Sequence, residues 1–179
     1  MLSSRENFTA NLQKDEEKAV MEILKIGTSA GGARPKAVIA FNEKTDMVKS
    51  GQTNAPNGFE HWLIKLDGVS DIQLGASKGY GRVEMAYYNM AIACDIDMMP
   101  SRLLEENGRA HFMTKRFDRE GTDIKHYIQT FCALKHFDYN AVTSYSYEQL
   151  FQTMRELKLS YQDAEQMYKD GVQCYSKKL

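Results

Sequence analysis

Little in this sequence would break the chain into pieces or tie it together covalently. Three prolines in 179 residues leave no Pro-rich linker to mark a domain boundary. Cys94, Cys132 and Cys174 are odd in number and widely spaced, with no CxxC pair. That pattern argues against a zinc site and a disulfide framework, so buried, reduced thiols are expected. The four histidines fit no metal-ligand spacing, and no structural metal is expected. No secretory signal and no 18-residue apolar run occur, which predicts a soluble chain with no membrane partner. Neither sign of charge dominates: 23 Lys and Arg face 24 Asp and Glu, for a net −1. A protein that binds nucleic acid directly normally shows a basic excess, so that class is disfavoured.

What is present suits a packed fold. The length allows one domain or slightly more with a real core, and ten Met, ten Tyr and eight Phe supply large side chains to fill it. DEEKAVMEILKIG spaces Ala19, Val20, Ile23 and Leu24 along one helix face, with Gly27 as the stop. KAVIAFN (36–42), MVKS (47–50) and HWLIKLDG (61–68) read as strands, and QTNAPNGFE (52–60) as irregular. RVEMAYYNMAIACDI predicts a helix burying Val83, Ala86, Tyr87, Met90, Ala91 and Cys94, with Glu84 in its first turn. SRLLEE, Asn107-Gly108 and RAHFMTKRF make a hairpin, because a type I′ turn needs two residues with positive φ. Ser146 through Gln149 is a capping box, and Ser160 caps a last helix of about four turns. The order of elements is α+β: an antiparallel sheet with one packed helix, then helices.

Three features could carry chemistry. Lys65 stands in an apolar strand, where an ammonium is costly unless it reaches water or an anion. Glu84, nineteen residues later near a helix start, is a candidate partner. A strand lysine paired with a helix glutamate is the phosphate-binding arrangement of kinase folds. The plainer alternative is a snorkelling lysine and a solvated first-turn charge. The stretch GTSAGGARPKA (27–37) is the second feature. It is no Walker A motif, since Gly32 is followed by Ala-Arg-Pro-Lys, but its amides could form an anion nest beside Arg34 and Lys36. GASKGYG (75–81) competes with it and reads better as a connector. The third is Ser29, which could be a plain turn residue, bind a phosphate or receive one.

TSAGGARPKAVIA, HWLIKL, VEMAYYNMA, HFMTKRFDR and YEQLFQTMREL occur in one order over about residues 20–170. As a set they resemble the HipA-like serine/threonine kinases, the toxin kinases of HipBA-type toxin–antitoxin pairs. The resemblance implies a bacterial, cytoplasmic protein with a protein-kinase-like small lobe over residues 1–118. Residues 119–179 would then begin a helical large lobe. It implies ATP and Mg²⁺ as cofactors. Gly31, Gly32, Ala33, Arg34, Pro35 and Lys36 would surround the nucleotide phosphates, with Lys65 as the phosphate-binding lysine and Glu84 steadying it. Lys115, Arg116 and Phe117 would border the adenine, and Ser29 would be the autophosphorylated serine. A helix-turn-helix antitoxin and a protein substrate would be the partners.

The sequence departs from the family where an NxDDHxKN-like catalytic stretch should follow the last helix. It ends at QMYKDGVQCYSKKL instead. The expectation is a chain truncated before the catalytic loop, with no catalytic residue of its own and inactive alone. The alternative is a non-catalytic, pseudokinase-like or split-kinase subunit, an interaction module completed by a second chain.

Overall fold

A computed structural model describes residues 9–11, 20–21, 23, 35–70, 73–74, 76–122, 124–141 and 145–176. The chain divides into two compact units, Met1–Met90 with Met98–His126, and Ala91–Asp97 with Tyr127–Leu179.

The first unit is built on one antiparallel sheet. Five strands, β2 (Lys36–Asn42), β3 (Met47–Ser50), β4 (Glu60–Lys65), β7 (Ser101–Glu106) and β8 (Arg109–Lys115), pair in the order β3-β2-β4-β8-β7. The three-residue β1 (Thr9–Asn11) extends the β3 edge to a sixth strand. Short pairs β5 (Val69–Ser70) with β6 (Gln73–Leu74), and β9 (Arg119–Glu120) with β10 (Ile124–Lys125), stand outside it. Period-two alternation gives the sheet two faces. Ala37, Ile39 and Phe41 of β2, Trp62 and Ile64 of β4 and Met113 of β8 form the core face, covered by Val20 and Ile23. Those two residues belong to the first expected helix. Ala19, Leu24 and Gly27 lie outside the described residues.

The turns follow their local chemistry. Asn42 closes the β2–β3 turn by accepting from the N–H groups of Lys44 and Thr45 at 3.0 and 3.1 Å. Asn107 and Gly108 have φ of 43° and 77°, the two positive values that the hairpin turn requires.

Helix α1 (Tyr80–Ala93) meets the sheet by a close backbone approach. A Cβ on Gly81 would lie 1.8 Å from the carbonyl oxygen of Ala110 on β8, so only glycine fits. The expected apolar face is corrected here. Tyr87 and Ala91 are sheltered as expected, but Val83, Ala86, Met90 and Cys94 are exposed, and Gly81, Glu84, Met85 and Tyr88 are the other sheltered positions. Glu84 is the fifth helical residue, in the second turn and not the first. Cys94 and Cys132 are free as expected, but Cys94 is exposed and Cys132 half-buried where burial was expected, and the Cys174 side chain lies outside the described residues.

The second unit holds the short α2 (Phe131–Leu134), α3 (Tyr147–Glu156) and α4 (Tyr161–Ser176). Thr130 caps α2, and the reciprocal Ser146–Gln149 capping box opens α3. Ser160 and Asp163 do the same for α4, each bonding the other's backbone N–H at 3.1 and 2.8 Å. Phe131, Phe137 and Tyr145 form an aromatic row, edge-on at 5.6 Å and then stacked at 6.0 Å. No described helix is long and apolar enough to cross a membrane.

Candidate functional site

The second face of the sheet presents Lys36 and Val38 of β2, His61, Leu63 and Lys65 of β4, and Phe112 and Thr114 of β8. The register sets Lys36 beside Lys65, Val38 beside Leu63, Lys65 beside Phe112 and Leu63 beside Thr114. Val38, Leu63, Thr114, Lys36 and Lys65 are only half-buried, so this face is a partly open apolar strip ending in two lysines.

Lys65 Nζ donates to Glu84 Oε2 and lies 5.5 Å from the centre of the Phe112 ring. The two side chains are 31% and 22% exposed, so the ammonium is held in place yet reachable. A lysine in a strand is thereby stabilised by a carboxylate and a ring face together. Leu66 N–H donates to the Pro35 carbonyl at 3.1 Å, which brings the end of the glycine-rich stretch alongside Lys65. Ser29, Gly31, Gly32, Ala33 and Arg34 lie outside the described residues.

Residues Lys115 to Phe117 leave β8 at the opposite end of β4. Arg116 N–H donates to the His61 carbonyl at 2.9 Å. Lys115 pairs with Glu60 at 2.6 Å, and Arg116 grips Asp118 with two bonds of 2.7 and 2.5 Å. Arg119 adds a further bond to the same carboxylate at 2.5 Å. Burial alone would push the Asp118 carboxyl up, but Arg116 and Arg119 outweigh it and hold it below the usual range. Both cations therefore have structural partners, while Phe117 is 66% exposed. A pocket of about 620 Å³ opens at this end, lined by Glu60, His61, Lys115, Arg116, Arg119 and Thr122 among others. His61 is buried there, and burial, then Arg119, Lys125 and Arg116, keep its ring below its ordinary pKa.

The competing glycine-rich loop is not a phosphate nest. The N–H groups of Lys78, Gly79 and Tyr80 already donate to the carboxylate of Asp67, at 3.2 to 3.4 Å. Sequence reasoning missed Asp67 and the buried polar chain behind it. Asp67 N–H donates to His111 Nδ1 at 2.9 Å, and His111 Nε2 faces Glu106 at 3.1 Å. Glu106 holds Arg109 through two bonds. The available signals were an Asp-Gly pair just after a strand and a His in the apolar run HFM.

The first unit is thus an antiparallel sheet packed with a helix, in which a strand lysine meets a helix glutamate. The family model of the HipA-like C-terminal domain matches residues 28–175, and the chain belongs to that family. No curated protein and no solved structure matches it.

Proposed function

We propose that the chain is the ATP-binding part of a HipA-like serine/threonine kinase, with the nucleotide on the open face of the sheet. The observation that carries this reading is the Lys65–Glu84 pair beside Lys36, at one end of the half-buried Val38–Leu63 strip. A base is flat and apolar and suits the strip. A polyphosphate needs charge-assisted donors, which the lysine end supplies. Glu84 orients the ammonium, and the ordered strand spares the site the entropy of fixing a long side chain. Phe117 offers a ring at the base end, whereas Lys115 and Arg116 shape that end through their own ion pairs.

The family implies ATP and Mg²⁺. Among the described residues no group of three His, Cys, Asp or Glu side chains could hold a metal ion. The chain's part in the chemistry is binding and orienting phosphate. Ser29 is the proposed autophosphorylated residue, and a helix-turn-helix antitoxin in a bacterial cytoplasm the proposed partner, both on family resemblance.

Calorimetric titration of ATP–Mg²⁺ into the full chain tests the site. Lys65→Ala is expected to weaken binding about tenfold or more, as for the loss of a charge-assisted bond. Equal affinities for mutant and wild type would remove Lys65 from the site.

A further inference from the structure

Asp67 stands two residues beyond Lys65 and is 1% exposed. Its Oδ2 accepts from Ser77 Oγ at 2.5 Å and from Gly79 N–H at 3.2 Å. Its Oδ1 accepts from Lys78 N–H at 3.2 Å and Tyr80 N–H at 3.4 Å. The N–H of Tyr80 is the first of the helix and those of Lys78 and Gly79 lead into it, so the carboxylate of another element holds the turn that enters α1. Behind Asp67, its own N–H is held by His111 of β8. On the far side of the same turn, Gly81 lies against the Ala110 carbonyl of β8 with no room for a side chain.

Together these contacts fix the entry of α1 in both translation and rotation. Glu84 follows Tyr80 by four residues, one turn along the same helix face. Rotating the helix by one residue would carry Glu84 about 100° around the axis and away from Lys65.

We infer that Asp67 is a positioning residue: a buried carboxylate that locks the entry of α1 against β4 and β8 and so holds Glu84 on Lys65. Its consequence for phosphate binding rests on the proposed nucleotide site, but the lock itself does not. The pair is then set by the fold before any ligand arrives.

The test reads the acylation rate of Lys65 by an amine-reactive ester, measured by mass spectrometry on the full chain. Glu84→Gln removes the carboxylate that holds the ammonium and is expected to raise the Lys65 rate several-fold. Asp67→Asn should reproduce the rise, because both carboxylate oxygens are used and an amide keeps one. The double variant should match Glu84→Gln alone, since both changes break the same pair. The rate at Lys115 should not move in any variant. Should Asp67→Asn fail to fold, Ser77→Ala removes one bond of the lock, and a smaller rise at Lys65 is expected. An Asp67→Asn or Ser77→Ala chain that melts at lower temperature yet labels Lys65 at the wild-type rate overturns the proposal. Protection of Lys65 by ATP–Mg²⁺ is scored separately: its absence counts against the nucleotide site and leaves the rate comparison standing.

Discussion

His111 shows how much one buried side chain carries. Its Nδ1 accepts from the Asp67 N–H, so the neutral ring carries its hydrogen on Nε2, toward Glu106. Burial holds the ring below its ordinary pKa, and Arg109 adds to this against the opposing pull of Glu106. The unfolded chain takes up a proton as pH falls through about 6.5 and the folded ring does not, so this group costs stability below that pH. The urea midpoint is therefore expected to fall between pH 7 and pH 5. His111→Asn, whose side-chain oxygen can still accept from Asp67, should lose about 1–3 kcal/mol at pH 7 and show a flatter pH slope. His61 is depressed in the same direction, so the slope should shrink without vanishing. Asp67, Glu106 and Asp118 are all held low, and their contribution fades only as pH falls through the carboxylate range, outside that window. A variant slope as steep as the wild type's would show that His111 does not stay neutral in the fold.

At the scale of elements, α1 depends on backbone proximity more than on apolar burial. Gly81→Ala would drive a Cβ into the Ala110 carbonyl, a clash with backbone that no side-chain rotation relieves. Overpacking of this kind costs about 1–3 kcal/mol or more. Gly79→Ala makes the control: its Cβ meets nothing within 4 Å, and only its φ of +73° opposes the change, at about 1–2 kcal/mol. Urea unfolding should rank Gly81→Ala below Gly79→Ala, and the reverse order would mean that the helix can shift off β8. The same geometry explains what the sequence could reveal. Strands 36–42 and 47–50, the Asn-Gly hairpin and the Ser146 box are local patterns, and each was legible from neighbouring residues. The buried side of α1 was legible only in part: Tyr87 and Ala91 followed from the spacing, but Gly81 and Glu84 carry no hydrophobic signal while the exposed Val83 and Met90 do. The Lys65–Glu84 pair was readable as a spacing. The Asp67–His111 bond, forty-four residues apart, was not, since nothing in either local run points to the other.

At the scale of the molecule, charge is balanced locally as well as in sum. In the first unit Lys65 faces Glu84, Arg82 faces Glu105 and Arg102 faces Glu43. Arg109 faces Glu106, Lys115 faces Glu60, and Arg116 and Arg119 share Asp118. A nucleic-acid duplex offers phosphates in a long row, and proteins that bind it neutralise about 6–10 of them with cations free to do so. Each of these cations would have to leave a carboxylate first, and the carboxylates would then face the phosphates. The full chain is therefore expected to elute from a duplex-DNA column below about 150 mM salt, at ionic strengths that screen surface pairs. Retention above that, with affinity falling steeply in salt, would show that enough cations are available to meet a row of phosphates and would overturn this expectation. A polyphosphate confined to one end of the sheet meets a different balance. There the strand register sets Lys36 beside Lys65, and Lys65 meets Glu84, so a compact anion can draw on charge concentrated at one end of the sheet without disturbing the ion pairs elsewhere. Local pairing thus separates the two kinds of anion by shape, and a chain that bound both ATP and duplex DNA with similar salt slopes would contradict it.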